Sequence, residues 1–194
     1  MVRPLVRTNI TPNQVTTVRL FSGVAAAVAL AIGTQWWTQV GCIVFVASVV
    51  LDRADGELAR MSGKTSDKGH QYDLWADACS NVLVFIGLGV GLRDSVLAPW
   101  SIPLGVVAGV SVAAVFWLVL RIEADRGQRA AELPGLAGFD PDDAILLVPL
   151  FIWLGWSVPL LVAAAVGASV FSVFFYWLFL SRRKRNRVSK VQRQ

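Results

Sequence analysis

The sequence predicts an all-α integral membrane bundle of six transmembrane helices with both termini in the cytoplasm. Three observations lead there. First, 55% of the 194 residues are hydrophobic, only 16% are charged, and the mean hydropathy is +0.58, which is too apolar for a soluble domain of this size. Second, the apolar residues form continuous runs without the period-two alternation of a membrane β-barrel, and helices are the other backbone solution in lipid. Third, the cations are one-sided. With the N-terminus inside, 17 of the 18 Lys and Arg residues fall on the cytoplasmic side, and only Arg93 lies outside.

The predicted spans are Val18–Thr34, Thr38–Met61, His70–Leu92, Pro99–Leu120, Ala144–Trp156 and Val158–Leu180. A crossing helix needs about 20 residues, so the first and fifth must recruit flanking residues. This divides the chain into a cytoplasmic juxtamembrane segment (1–17), a six-helix transmembrane domain (18–181) and a basic cytoplasmic tail (182–194). Leu20–Gly33 resembles a signal-peptide core, but it follows a long polar start and has no convincing cleavage site, so it reads as a retained helix. Pro12 and Asn13 suggest a turn or a short interfacial element before the first span.

Arg3, Arg7 and Arg19 count toward the inner side of the first span. Trp36, Trp37, Trp100 and Trp156 fit interfacial anchoring. The tail from Arg182 to Lys190 reads as a topology anchor touching anionic headgroups; no other feature points to nucleic acid. Cys42 and Cys79 belong to no CxxC or Cys/His cluster, which argues against a disulfide framework or a zinc site, and both read as small buried residues. A phosphate-loop reading of Gly63-Lys64-Thr65 fails because Leu58 stands where that motif needs glycine. No internal repeat is evident.

Chemistry concentrates between Asp52 and Asp77, at the ends of two apolar segments. Ionisable groups at a membrane edge are costly and mark a functional site. At about 100° per residue, Asp52, Asp55, Gly56, Ala59 and Arg60 share one helix face. Asp73 and Asp77, four residues apart, share another. The short connection over 61–68 makes the two helices antiparallel neighbours, so the faces can meet. Four carboxylates in one place cannot all stay ionised and unpaired, and Arg60 alone is too little compensation. A hard divalent cation, Mg2+ or Mn2+, as one ion or two, is the natural partner. Gly56 and Ala59 leave a shallow groove, and Arg60 offers a donor fork suited to phosphate. The assembly reads as a metal-held diphosphate with room for a nucleoside. His70, the one histidine, has no second soft ligand for zinc.

The spacing Asp-x2-Asp-Gly-x2-Ala-Arg-x8-Gly-x3-Asp-x3-Asp resembles the signature of the CDP-alcohol phosphotransferase family, with Asp52, Asp55, Gly56, Ala59, Arg60, Gly69, Asp73 and Asp77 filling every fixed position. The resemblance implies a six-helix membrane bundle, usually a homodimer, with its site facing the cytoplasm of a bacterial or archaeal inner membrane. It implies that Asp52, Asp55, Asp73 and Asp77 hold one or two divalent ions, that Asp77 is also general base, and that Gly56, Ala59 and Arg60 line the CDP moiety. Gly69 completes that set. Ser66 stands where the family often places a hydroxyl near the diphosphate. Pro12-Asn13-x2-Thr16 is similar to an element before the family's first span, which implies places for Asn13 and Thr16 near the diphosphate.

The reaction implied moves a substituted phosphate from a CDP-linked donor, expected to be CDP-diacylglycerol, to an acceptor alcohol in phospholipid synthesis, releasing CMP. One alternative reverses the roles: a soluble CDP-alcohol such as CDP-choline, CDP-ethanolamine or CDP-inositol donates, and a lipid or polyol accepts. A remote alternative is a cation transporter, but transporter sites lie near the bilayer midplane on broken helices, whereas these aspartates sit at helix ends. For the acceptor, Arg121 and Glu123 match the end of the family's stretch after the fourth helix, with Arg126 or Arg129 as a further cation. Val119 replaces an earlier cation, which weakens the case for a phosphorylated acceptor. The acidic turn Asp140-Pro141-Asp142-Asp143 reads as charge complementing a helix N-terminus.

Overall fold

The computed structural model describes residues 11–63, 66–126 and 145–191. These residues are helical with short connections: α1 Pro12–Ile32, α2 Gln35–Ser62, α3 Asp67–Gly91, α4 Ser101–Arg126, α5 Leu147–Trp153 and α6 Ser157–Val191. α1, α2, α3 and the Ser157–Phe174 part of α6 are long and apolar enough to cross a membrane; the apolar part of α4, Ser101–Val115, is shorter. This is the architecture of an integral membrane protein.

Helix ends follow local chemistry. α1 starts six residues before the expected apolar boundary, because Pro12 suits a first helical position and the Thr11 N–H donates to Gln14 Oε1 at 2.9 Å. Pro12 and Asn13 are therefore helical. α1 stops at Gly33, whose φ of 80° places it in the left-handed region that glycine tolerates, and Thr34 caps α2. Ser66 caps α3, its Oγ accepting from the Gly69 N–H at 3.1 Å. α5 is shorter than the expected fifth span. It ends at a turn through Gly155, φ 78°, and its seven residues extend only about 10 Å. α6 runs unbroken through the expected boundary at residue 181 to Val191.

Helix packing corrects one expectation. α2 and α3 are joined by a short link, yet their backbones scarcely touch. Each packs extensively on α1; α3 then packs on α4, and α4 on α6, while α5 touches α2 and α6. α1 is therefore the spine, and the two acid-bearing helices flank it. The α1–α3 seam is lined with small residues, as close helix approach in lipid favours. A Cβ on Gly87 would collide with the Ala27 carbonyl, and one on Gly23 would lie 2.5 Å from Ser80 Oγ. The core collects Ala26, Leu30, Cys42, Phe45, Phe85, Val148 and Leu161.

The outward faces carry large apolar side chains such as Phe21, Val28, Ile43 and Val110, the pattern of helices that face lipid or a partner. Trp36, Trp37, Trp100 and Trp156 are exposed at helix starts, where belt residues belong. Cys42 is buried as expected, but Cys79 is exposed, because α3 turns that side away from α1 and α4.

Candidate active site

Three of the four aspartates converge. Carboxylate oxygens of Asp52 and Asp55 on α2 and Asp73 on α3 lie within 4.8 Å of one another. Around an octahedral Mg2+ with bonds of about 2.1 Å, ligand oxygens stand about 3.0–4.2 Å apart. The donor set is all carboxylate oxygen, and its 4.8 Å spread is about 0.6 Å wider than the trans pair of such an ion, a small side-chain adjustment. The residues fit a hard divalent cation.

α1 enters this cluster from beneath. Asp55, buried, accepts a hydrogen bond from Thr16 Oγ1 at 2.8 Å. Arg19, only 1% exposed, forms an ion pair with Asp52 Oδ1. Its Nη1 also donates to Asp73 Oδ1 at 3.0 Å, and its Nη2 donates to the Asp73 main-chain carbonyl at 3.0 Å. Nη2 lies 3.9 Å from Asp77 Oδ1. One guanidinium thus serves carboxylates on both flanking helices.

The sequence reading missed this residue by assigning Arg19 to membrane topology alone and weighing only Arg60, which it found insufficient, as a compensating cation. The signal was present: Arg19 is the one charged residue between Arg7 and Asp52, and an ionisable group inside an apolar span calls for a partner.

Asp77 stands apart from the triad. Its Oδ1 accepts from Asn81 Nδ2 at 3.1 Å, and it lines a cavity of about 370 Å3. Arg19 and Asp52 also border that cavity, which continues between Phe45, Phe85 and Phe151. Farther along α2 the surface is more open. Gly56 has nothing within 4 Å of where a Cβ would be, Ala59 is half-buried, and Arg60 is exposed near the end of α2.

The N-termini of α1 and α3 meet each other. A Cβ on Gly69 would lie 3.0 Å from Ser66 Oγ and 3.3 Å from Asn13 Oδ1, and Thr17 Oγ1 and Tyr72 Oη share a hydrogen bond of 2.9 Å. Asn13, Ser66 and Gly69 are thus neighbours, while Thr16 is turned inward to Asp55. Arg121 and Arg126 belong to the last turns of α4, where only the backbone is described. Arg129 and the Asp140–Asp143 turn lie outside the described residues.

A sequence model of the CDP-alcohol phosphatidyltransferase family matches residues 9–177. The chain belongs to that family. It is a membrane phosphotransferase. Among solved structures it is similar to the apo crystal structure of Mycobacterium tuberculosis phosphatidylinositol phosphate synthase (PgsA1), with a TM-score of 0.69 and 24% identity, over 91% of this chain and 94% of that one. That likeness establishes the shared fold. Comparison with curated proteins gave no significant match.

Proposed function

We propose that this transferase moves a substituted phosphate from CDP-diacylglycerol to an acceptor alcohol and releases CMP, as a step of phospholipid synthesis. One observation carries the reading: the carboxylates of Asp52, Asp55 and Asp73, drawn from two helices, gather within 4.8 Å beside the open surface at Gly56. Asp52, Asp55 and Asp73 would hold Mg2+ or Mn2+, with Asp77 as a further ligand to the same ion or a second one. The ion's contribution is to neutralise the diphosphate and the charge that grows on the leaving group.

The chain's own residues do the rest. Gly56, Ala59 and Gly69 leave room for the cytidine diphosphate against the backbone. Arg60, Ser66 and Asn13 present donors around it, and Thr16 acts from below by fixing Asp55. Asp77, held by Asn81, takes the proton from the acceptor hydroxyl. The acceptor oxygen forms a bond to the β-phosphorus, the bond from that phosphorus to the bridging oxygen breaks, and CMP leaves with the electron pair. Positioning and electrostatics supply most of the rate in such transfers. Arg121 and Arg126, on the last turns of α4, are the candidates for holding a polar acceptor.

The distribution of Lys and Arg supports an active site on the cytoplasmic face of a bacterial or archaeal inner membrane, with both termini inside. The exposed apolar faces are compatible with a homodimer.

A second reading has its own observation. The cavity beside Asp77 is walled mainly by apolar side chains, with Val112, Val148 and Leu160 among them, and Val119 replaces a cation expected for a phosphorylated acceptor. Both features favour a lipid alcohol as acceptor and a soluble CDP-alcohol as donor. Incubating the purified protein with CDP-diacylglycerol and a panel of polyols and their phosphates, and in parallel with CDP-choline, CDP-ethanolamine or CDP-inositol and diacylglycerol, separates the two. CMP in the first set alone supports the first reading, and CMP in the second alone replaces it. No CMP from any pair contradicts both.

A further inference from the structure

We propose that Arg19 is a positioning residue for the carboxylates that hold the divalent ion. It would fix the oxygens of α2 and α3 before metal arrives and so raise the site's affinity for metal. The inference rests on the metal-holding role proposed above and concerns a residue outside the signature.

Arg19 is anchored at both ends. Its main-chain carbonyl accepts from Ser48 Oγ at 3.0 Å, a buried bond to α2, and from Ser22 Oγ at 2.7 Å within α1. Ser48 lies one helical turn before Asp52. At the other end the guanidinium is tied to α3 twice, through Asp73 Oδ1 and the Asp73 carbonyl, each at 3.0 Å, and it pairs with Asp52 on α2. Because the backbones of α2 and α3 scarcely approach each other among the described residues, close backbone packing between them does not set the distance between Asp52 and Asp73. The side chain from α1 spans that gap.

The geometry calls for arginine. Nη1 and Nη2 address Asp52, Asp73 and the Asp73 backbone from one rigid plane, which the single nitrogen of lysine cannot reproduce. Arg19 engages Oδ1 of both aspartates, and a carboxylate has a second oxygen that can ligate an ion. The residue is almost wholly enclosed, which sets it apart from a substrate-phosphate contact; that role fits the exposed Arg60. Partners that orient metal ligands without touching the metal commonly contribute 10–100-fold to affinity.

The experiment titrates Mn2+ into purified full-length protein, with no substrate present, by calorimetry. Arg19→Lys keeps the charge and loses the fork; Ser48→Ala leaves the guanidinium intact and releases the arginine's backbone anchor. Arg19→Lys is expected to weaken Mn2+ binding by about ten-fold or more, and Ser48→Ala to weaken it by a smaller factor. In CMP-release assays the half-activating Mn2+ concentration of Arg19→Lys should rise, with activity partly restored at saturating Mn2+, which a merely structural defect would not show. Mn2+ affinity in Arg19→Lys equal to or above wild type overturns the proposal, since the guanidinium would then be a competitor or a bystander. If Arg19→Lys does not fold, Ser48→Ala alone decides, and unchanged affinity there contradicts the role. Wild-type protein that binds no Mn2+ contradicts the metal reading itself, a separate outcome.

Discussion

Two arginines mark the two ends of α1, and their surroundings differ in kind. At the opposite end from the acidic cluster, Arg93 clasps the helix termini: Nη1 donates to the carbonyls of Ala31 at 2.9 Å and Val90 at 3.1 Å, and Nη2 donates to that of Ile32 at 3.4 Å. These are the orphan acceptors that any helix C-terminus leaves behind. Arg93 is half-exposed, satisfies them and closes the turn. Arg19 is buried and spends its donors on carboxylates drawn from two different helices. A fold that needed only closure would resemble the Arg93 end. Among the described residues, the acidic end gathers carboxylates from α2 and α3 around the buried Arg19, with Arg53 also lining the cavity beside them. On the proposed reading, the difference separates a structural arginine from one committed to a functional site.

The comparison can be broken in graded steps. Excess chelator should abolish CMP release, with Mg2+ or Mn2+ restoring it, while the Arg93 end stays intact; undiminished release in chelator would remove the metal from the account. Asp77→Asn should lower the rate of CMP release by about 10²–10⁴-fold, the usual range for a general base, while metal-dependent donor binding persists; full activity would refute the base assignment.

Gly56→Leu separates site from fold. The position opens to space, so replacing a mid-helix glycine should add about 0.5–1 kcal/mol of stability, read as a raised thermal midpoint. The same side chain should block the groove and raise the donor KM about ten-fold, equivalent to about 1.4 kcal/mol. An unchanged KM would move the nucleotide elsewhere. Arg93→Ala should cost about 1 kcal/mol of stability and leave CMP release per folded molecule unchanged; a loss of turnover there would erase the contrast between the two ends.

The residues from Asp52 to Asp77 made the chemistry legible because helical spacing alone puts Asp52 with Asp55, and Asp73 with Asp77, on common faces. The meeting of Asp52, Asp55 and Asp73 followed from those faces and a short link. What the chain order concealed was the third party. A short connection suggests direct pairing of α2 and α3, whereas the small residues of α1, Gly23 and Ala27 among them, let that helix lie between the two. Contacts across helices distant in sequence carry no local period, so the roles of Thr16 and Arg19 emerged only in three dimensions. Within the expected fifth span Ala144–Trp156, the α-helix runs Leu147–Trp153 and ends at the turn through Gly155, so one to two turns of it are described.

The most direct test of the central claim asks whether α2 and α3 share one ion. Mn2+ binding to the purified protein should be followed by calorimetry in wild type, in Asp55→Asn on α2 and in Asp73→Asn on α3. Each single substitution should weaken the same binding event severely, because each removes an oxygen from a common ligand set. If either helix can lose its carboxylate with Mn2+ affinity unaltered, the ion does not bridge them and the site as described here is wrong.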